Sequence, residues 1–456
     1  MIHLRCKTAK KLPWLVFFFG LLLLLEFGSS QLYGQGPTEA GKRPNIVLIV
    51  SDDQHWGDYE FMGQEQLKTP NLDRLARESL LYKRGYVPSS LCCPSLATIL
   101  TGLYPHQHKI TCNDPPVPKG IKGGEFHRSA AFRDGRRRMN EFMERADSLP
   151  RLLQNLGYRS LQTGKWWQGL FTTGGFTDGM TQGDRHGDAG LDIGRKTMAP
   201  IRDFITDCQK NDQPFLVWYA PFLPHAPHNA PEQIVAQSRT RWKPGDEIAR
   251  GPYLACIEWF DQTIGELMSI LEEAKVDENT LVIYVTDNGW ICGDRLNQFG
   301  PRSKQSPYDG GVRTPIMIRW KGKVAPAESN AAVSSIDIAP TVLKAVGLRP
   351  ATEMQGIDLL DQVAVNNRPA IFGECFTHNA VDIDNPAANL RWRWMIQDGK
   401  KLIVPAEQNE TQGAIELFDI VNDPYESKDI STVQSSVVKE LKSKLDQWWE
   451  GKLEPK

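Results

Sequence analysis

The stretch Asn45-Ile46-Val47-Leu48-Ile49-Val50-Ser51-Asp52-Asp53 decides the fold of this 456-residue chain. It is a short run of mostly apolar residues that ends in a serine and two aspartates. Such a run is typical of a strand buried on both faces of a parallel sheet. Similar runs recur at Phe215–Tyr219, Leu281–Val285 and Pro315–Trp320. Helical patterns separate these runs, so the sequence predicts an α/β fold with a mostly parallel central sheet and helices on both faces.

Helical spacing is clearest at Leu72–Tyr82, Leu149–Leu156 and Pro252–Lys275. Residues 112–146 break the alternation with many Lys, Arg, Gly and His residues, and they predict a loop at the mouth of the site. Their basic run, Arg136-Arg137-Arg138, is interpreted as a solvated face.

The chain changes character after Pro350. Short antiparallel strands are expected within Trp392–Val404 and at Leu417–Asp419, followed by a closing helix at Val437–Trp449. These elements predict a small C-terminal α+β subdomain at 351–456, beside a main α/β domain at 44–350.

The first 30 residues predict a secretory signal peptide, followed by a linker at 31–43. A basic start precedes the apolar run Trp14–Leu25, and small residues follow it. This run is shorter than the ~20 apolar residues of a membrane span, so an uncleaved anchor is the weaker alternative. We expect a secreted or periplasmic protein with no stable membrane span after signal removal. A net charge of −2 gives no reason to expect a nucleic-acid partner.

Polar residues directly follow two of the predicted strands. Asp52 and Asp53 follow the first strand, and Asp287 and Asn288 follow Leu281–Val285. Open α/β sheets bind ligands at the carboxyl ends of their strands, so the two pairs should share one crevice. Clustered carboxylate and amide oxygens suit a hard cation, Ca²⁺ or alternatively Mg²⁺.

A second motif is Ser90-Leu91-Cys92-Cys93-Pro94-Ser95-Leu96-Ala97-Thr98-Ile99-Leu100-Thr101-Gly102. Pro94 is well placed in the first turn of a helix, which puts Cys92 next to the helix N-terminus. The helix dipole there should lower the pKa of the thiol and favour an anionic substrate. The alternative is that Cys92 and Cys93 are small buried core residues.

These motifs, in this order, resemble the sulfatase family of the alkaline-phosphatase superfamily. The resemblance includes the opening Arg43–Asp53, the Cys92 motif, Gly164-Lys165-Trp166, Pro224-His225-Ala226-Pro227, Asp287-Asn288-Gly289 and Lys304–Pro315. It implies hydrolysis of sulfate esters, with a sulfated small molecule or glycan as the substrate.

The resemblance also implies roles for individual residues. Cys92 would be oxidised by a formylglycine-generating maturation enzyme, and the aldehyde hydrate would attack sulfur. Lys165 would contact the sulfate and the formylglycine, and Lys304 would lie near the leaving oxygen. His225 would contact the sulfate ester or aid the departure of the leaving group. The implied metal ligands are Asp52, Asp53, Cys92, Asp287 and Asn288.

The chain departs from the family pattern at two positions. Leu96 stands where the family has an Arg that braces the formylglycine and helps the maturation enzyme, and Trp167 replaces a His. Two alternatives therefore stay open: a phosphoester or phosphonate hydrolase on the same scaffold, and a non-catalytic anion- or glycan-binding homologue. Arg313 and the Trp166-Trp167 pair are interpreted as structural or pocket-wall residues. Four histidines have no assigned role, although one could line the pocket: His106, His108, His186 and His378.

Overall fold

The computed structural model describes residues 42–121 and 123–453. The predicted signal peptide and most of the predicted linker lie outside these residues. Within the described ranges, no helix combines the length and the apolar character needed to cross a membrane.

Two sheets organise the described residues. The central sheet contains β1 (Asn45–Ser51), β2 (Leu80–Tyr86), β3 (Arg159–Gly164), β4 (Asp178–Gly179), β5 (Phe215–Ala220), β6 (Thr280–Thr286), β7 (Arg313–Arg319) and β8 (Ala327–Ser334). The smaller sheet contains β9 (Ile371–Phe376), β10 (Leu390–Gln397), β11 (Lys400–Pro405) and β12 (Glu416–Asp419). The central order is β4-β3-β5-β1-β6-β7-β2-β8, and the small antiparallel sheet runs β12-β11-β10-β9. Every pairing in the central sheet is parallel except those of β7. The predicted fold class is confirmed.

The described ranges contain fourteen α-helices, which cover both faces of the central sheet and one face of the small sheet. They are α1 (Pro70–Arg77), α2 (Cys92–Thr101), α3 (Pro105–His108), α4 (Gly123–Phe126), α5 (Ala130–Arg145), α6 (Leu149–Gln154), α7 (Ala199–Lys210), α8 (Glu232–Arg239), α9 (Arg250–Glu273), α10 (Asp309–Val312), α11 (Ile338–Ala345), α12 (Gln362–Asn366), α13 (Pro386–Asn389) and α14 (Ser435–Trp448).

The alternation of side chains along β1 explains the layered architecture. All seven residues of this strand are buried. Leu48 belongs to a core that also contains Leu96 and Ile99 of α2. Val47 points to the opposite core, which contains Phe260 of α9. A central strand that is apolar on both faces therefore holds a helix layer on each side.

One predicted helix was too long, and one predicted strand runs antiparallel to its neighbours. The helix predicted over Leu72–Tyr82 ends at Arg77, and its last three residues belong to the buried strand β2. Pro315–Trp320 forms a strand, but β7 is antiparallel to both of its neighbours.

Residues 112–146 are also not a simple loop, because they contain the 16-residue helix α5. Its apolar face buries Phe132, Met139 and Met143. Arg136 is 9% exposed and donates a hydrogen bond to the Asn113 carbonyl oxygen. It is therefore not part of a solvated face as predicted.

The small sheet is covered by α14, which buries Leu441 and Leu445 against Met395 and Leu417. A buried ion cluster joins this sheet to the central one. Lys401 of β11 lies 2.8 Å from both Asp309 Oδ1 and Glu426 Oε1.

Candidate active site

The ends of β1 and β6 form the floor of the site. These strands are parallel neighbours, with Ser51 opposite Thr286, so the residues that follow them lie side by side. The Asp53 backbone N–H donates to Asp287 Oδ1 over 3.0 Å, and Asn288 Nδ2 donates to Asp53 Oδ1 over 2.7 Å. The two polar pairs predicted to share a crevice do so.

Two lysines from other parts of the chain enter the same crevice. Lys165 directly follows β3, and its Nζ lies 2.5 Å from Asp52 Oδ1 and 3.6 Å from Asp287 Oδ2. Lys304 lies between β6 and α10, with its Nζ 2.7 and 2.8 Å from the two Asp53 carboxylate oxygens. The same Nζ lies 3.1 Å from Cys92 Sγ. The structure thus places both predicted lysines and the predicted nucleophile around one group of carboxylates.

Three buried oxygens in this crevice accept no hydrogen bond from the described residues: Asp52 Oδ2, Asp287 Oδ2 and Asn288 Oδ1. Leaving a buried acceptor unsatisfied costs about 1–3 kcal/mol, and more for a charged group. Three carboxylates also outnumber the two ammonium groups, which leaves one net negative charge. These residues therefore fit a hard divalent cation that is coordinated by oxygen.

A second group of possible metal-ligand atoms shares Asp52 and Asp53 with the set just described. Ligand atoms of Asp52, Asp53, Cys92 and His225 lie within 4.8 Å of one another. His225, which was predicted to act on the ester, is thus also within reach of a cation. Its Nε2 lies 3.3 Å from Asp53 Oδ2.

Burial controls the titration of the charged groups. Desolvation raises the pKa of Asp52 well above its usual value, and Asp287 and Asp53 raise it further, while Lys165 opposes the shift. Burial disfavours the Lys165 ammonium, but Asp52 and Cys92 raise the pKa of this lysine well above its usual value. The lysine therefore stays charged.

Cys92 is the first residue of α2, as the position of Pro94 suggested. Burial nevertheless raises the pKa of its thiol to about 12, despite the opposing charges of Lys165 and Lys304. The expected lowering by the helix N-terminus was therefore wrong. In this environment the side chain is a neutral thiol, a poor nucleophile.

Aromatic rings form the wall of the site around His225. Its ring stacks on Phe222 with centroids 4.2 Å apart. Burial, with the charges of Lys165 and Lys304, lowers the pKa of His225 well below its usual value. A neutral imidazole is expected there at neutral pH.

The two departures from the family pattern are both buried. Leu96 is 3% exposed and belongs to the core between α2 and the sheet. Trp167 is 4% exposed, with the guanidinium of Arg185 4.8 Å from its ring centroid. Trp166 packs edge-on against Phe176 in the core.

Two of the four unassigned histidines have their contacts elsewhere: His106 pairs with Glu374, and His108 contacts Thr98. His378 contacts Asn113 and Asn379, and the charge of Lys304 is among the causes that lower its pKa. Arg313 donates to the Lys83 carbonyl oxygen and lies 4.0 Å from the Trp56 ring centroid.

His186 is different, because its ring centroid is 6.0 Å from that of His225. Sequence reasoning also missed Phe222 as a wall residue. The available signal was its place between β5 and the Pro-His-x-Pro motif. No comparable signal marked His186, which follows no strand.

Comparison with known proteins decides the family. A model described as "Sulfatase" matches residues 44–348. The chain belongs to the sulfatase family. A second model, "N-sulphoglucosamine sulphohydrolase, C-terminal", matches residues 298–450 of this sulfatase. The family is one of sulfuric ester hydrolases within the alkaline-phosphatase superfamily, as the sequence motifs predicted.

Relatives and solved structures agree with this assignment. The sulfatase is 27% identical to N-acetylgalactosamine-6-sulfatase of Canis lupus familiaris, over 82% of this chain and 76% of that protein. It is 28% identical to human arylsulfatase A, over 69% and 67% of the two chains. The fold resembles that of Ps i-CgsB in complex with k-i-k-neocarrahexaose, with a TM-score of 0.70, 21% identity and coverage of 90% and 94%.

Proposed function

We propose that this sulfatase removes sulfate from a sulfated glycan through a Cys92-derived formylglycine beside a Ca²⁺ ion. The observation that carries the proposal is the position of Lys304, whose Nζ contacts both Asp53 and Cys92 Sγ. One ammonium group thereby links the proposed cation ligands to the residue that would carry the nucleophile. These ligands, called the cation cage below, are Asp52, Asp53, Asp287 and Asn288.

The charges of the crevice suit a sulfate monoester. Without a cation the carboxylates leave one net negative charge, which would repel the substrate. Bound by Asp52, Asp53, Asp287 and Asn288, a divalent cation would supply the positive charge that attracts and polarises the sulfate oxygens. Ca²⁺ is the better candidate than Mg²⁺, since it tolerates irregular sets of oxygen ligands.

Lys165 and Lys304 add fixed positive charge in a dry site, where such charge stabilises an anionic transition state strongly. His225 is placed at the crevice as a neutral imidazole, which can hold or pass a proton at the leaving oxygen. As formylglycine, residue 92 would supply an oxygen nucleophile that the neutral thiol cannot.

A glycan substrate is supported by the names of two similar proteins. One relative is an N-acetylgalactosamine-6-sulfatase, and one structural neighbour is a complex with k-i-k-neocarrahexaose. The aromatic wall of Phe222 and Trp167 supplies apolar surface of the kind that ligand pockets use.

Export and domain organisation complete the proposal. Residues 1–30 would direct the chain out of the cytoplasm as a secreted or periplasmic protein, and 31–43 would link them to the catalytic domain 44–350. The C-terminal subdomain 351–456 would hold the Lys304–Arg313 segment through Lys401. The implied partner is a formylglycine-generating enzyme.

The test combines turnover with peptide mass. Purified protein should cleave an aryl sulfate faster than the matching aryl phosphate, and the Cys92 peptide should show the mass of formylglycine. Cys92→Ala should abolish turnover, whereas Cys93→Ala, a change at the adjacent buried cysteine, should retain most of it. Preference for the phosphate ester would favour a phosphohydrolase. Sulfate binding without turnover, together with an intact thiol, would favour an anion-binding protein.

A further inference from the structure

An imidazole without an assigned role faces the crevice. The His186 ring meets the Trp167 ring edge-on, with centroids 4.5 Å apart at 77°. Its centroid lies 5.5 Å from that of Phe222 and 6.0 Å from that of His225. His186 therefore belongs to the same wall as the residues proposed to act on the substrate.

The backbone holds this ring in place. His186 has φ of 69° and Gly187 has φ of 108°, a left-handed bend that few side chains favour. The Trp166 N–H donates to the His186 carbonyl oxygen over 3.0 Å. A Cβ on Gly187 would lie 2.4 Å from the Gly164 carbonyl oxygen. This bend is thus packed against the backbone on either side of Lys165.

The preceding residue is anchored as well. Arg185 donates two hydrogen bonds of 3.0 Å to Asp114, one to each carboxylate oxygen. A bidentate pair of this kind is strong and fixes the guanidinium in orientation. Both neighbours of His186 are therefore fixed, and the ring nitrogens remain available to a ligand: within residues 42–121 and 123–453, neither has a hydrogen-bond partner.

The charges around the His186 ring determine its protonation state and so its hydrogen-bonding groups. Burial, with the charges of Arg185, Lys165 and Lys304, lowers the pKa of His186 far below its usual value. A neutral imidazole carries one N–H donor and one acceptor. Beside two lysines, an N–H donor suits an anionic oxygen.

We propose that His186 binds the sulfate group of the substrate, donating its ring N–H to a sulfate oxygen beside Lys165. This inference rests on the proposed function of the crevice. It gives a role to an unassigned histidine whose ring packs against those of Trp167 and His225.

The test uses two variants that both accept a positive φ. Glycine removes the side chain without backbone strain, and asparagine keeps an N–H donor in the same backbone region. His186→Gly should weaken the binding of inorganic sulfate, titrated by calorimetry into the full-length protein, by about tenfold or more, as loss of a hydrogen bond to a charged group does. His186→Asn should recover part of that loss. Lys275→Gly, at an exposed residue whose φ of 55° is also positive, is the matched control and should bind like wild type.

Sulfate binding and aryl sulfate turnover separate this proposal from the proposed function. If His186→Gly melts like wild type and binds sulfate equally well, the proposal is wrong, whatever the turnover. If wild type binds sulfate through His186 but cleaves no sulfate ester, the proposal stands and hydrolysis fails. If wild type does not bind sulfate at all, the proposal for His186 is wrong, and turnover of the aryl sulfate alone decides the proposed function.

Discussion

The Lys304 ammonium group has two contacts, and removing it should change turnover and Ca²⁺ affinity in opposite directions. Its ammonium group neutralises Asp53 and also contacts Cys92 Sγ. Lys304→Met keeps the length of the side chain and removes the charge. Turnover of an aryl sulfate should fall about 10²–10³-fold, as on loss of a preorganised charge-stabilising group. Affinity for Ca²⁺, measured by calorimetry, should rise, because a competing positive charge leaves the cage.

Lys42→Met is the control, since Lys42 pairs with Asp212 on the surface. It should change neither quantity. A folded Lys304→Met protein with full activity would remove this lysine from the chemistry.

The buried oxygens of Asp52, Asp287 and Asn288 that accept no hydrogen bond predict that Ca²⁺ stabilises the folded protein. Saturating Ca²⁺ should raise the unfolding free energy of wild type by about 2.7 kcal/mol at a hundredfold excess over Kd. Asp287→Asn removes one charge from the cage and should abolish most of this increment. The measurement is urea unfolding with Ca²⁺ and with a chelator.

Asp261→Asn is a matched control at another buried aspartate. Asp261 accepts hydrogen bonds from the backbone N–H groups of Asn71 and Leu72, far from the cage. Its variant should be less stable, yet it should keep the whole Ca²⁺ increment. An equal increment in Asp287→Asn would place the cation elsewhere.

Most residues of the site were predictable from the sequence. Asp52, Asp53, Asp287 and Asn288 were recognisable because each follows a buried strand, and strand ends meet in space. The pKa of Cys92 was not predictable from its place at a helix N-terminus, because complete burial outweighs the dipole and the lysines. His186 could not be distinguished from the three other unassigned histidines, because its position depends on a bend of the backbone and not on a strand.

At the scale of elements, α2 limits what can replace Leu96. All ten residues of this helix are buried. A guanidinium introduced at Leu96→Arg would enter the core without a partner and should lower the unfolding free energy by about 3–5 kcal/mol. Leu96→Met, the control, should cost less than about 1.5 kcal/mol.

Although Leu96→Arg should lower stability, it should raise the fraction of Cys92 that is converted to formylglycine. Arg offers the maturation enzyme planar, charge-assisted hydrogen bonds that Leu cannot make. The formylglycine fraction of the Cys92 peptide should therefore rise in Leu96→Arg, as measured by peptide mass. An unchanged fraction would mean that the maturation enzyme does not read this position.

Strands that form one continuous apolar run were predicted well. Segments whose apolar pattern is interrupted, or fits both a helix and a strand, were not. The continuous apolar runs of β1, β5 and β6 have no helical alternative of sufficient length. In α5, charged residues and a glycine conceal the apolar stripe that Phe132, Met139 and Met143 bury. In β2, Leu80–Tyr82 continues the helical spacing of α1, and only pairing with β7 and β8 makes it a strand.

For the whole molecule, the buried cluster around Lys401 predicts a pH dependence. Burial and the charge of Asp309 raise the pKa of Glu426 to about 7, against the lowering effect of Lys401. The folded protein thus holds a proton that the unfolded chain releases near pH 4.5. The contribution of Glu426 to stability is therefore present below that pH and is lost as pH rises toward about 7.

Glu426→Gln removes this titration. The unfolding free energy of wild type minus that of the variant should decrease by up to about 3 kcal/mol between these two pH values, since one pKa unit corresponds to ~1.36 kcal/mol. Urea unfolding across the range measures it. Glu328→Gln, at a largely exposed carboxylate, should show no such trend. A flat difference for Glu426→Gln would contradict the shift.

The order of the strands could not be read from the sequence. The alternation of apolar runs and helical patterns predicted the α/β architecture, but the antiparallel direction of β7 and the exposed edge strand β8 depend on pairings between distant segments. The fold class was therefore predictable, and the detailed topology was not.

The order of the strands also has a consequence for the timing of synthesis. β1 sits between β5 and β6, so its neighbours are translated more than 160 residues later, and Lys304 follows 212 residues after Cys92. Once those segments dock, Cys92 is 1% exposed. An enzyme that oxidises Cys92 must therefore reach it before they dock, and the time to docking sets how long that enzyme has.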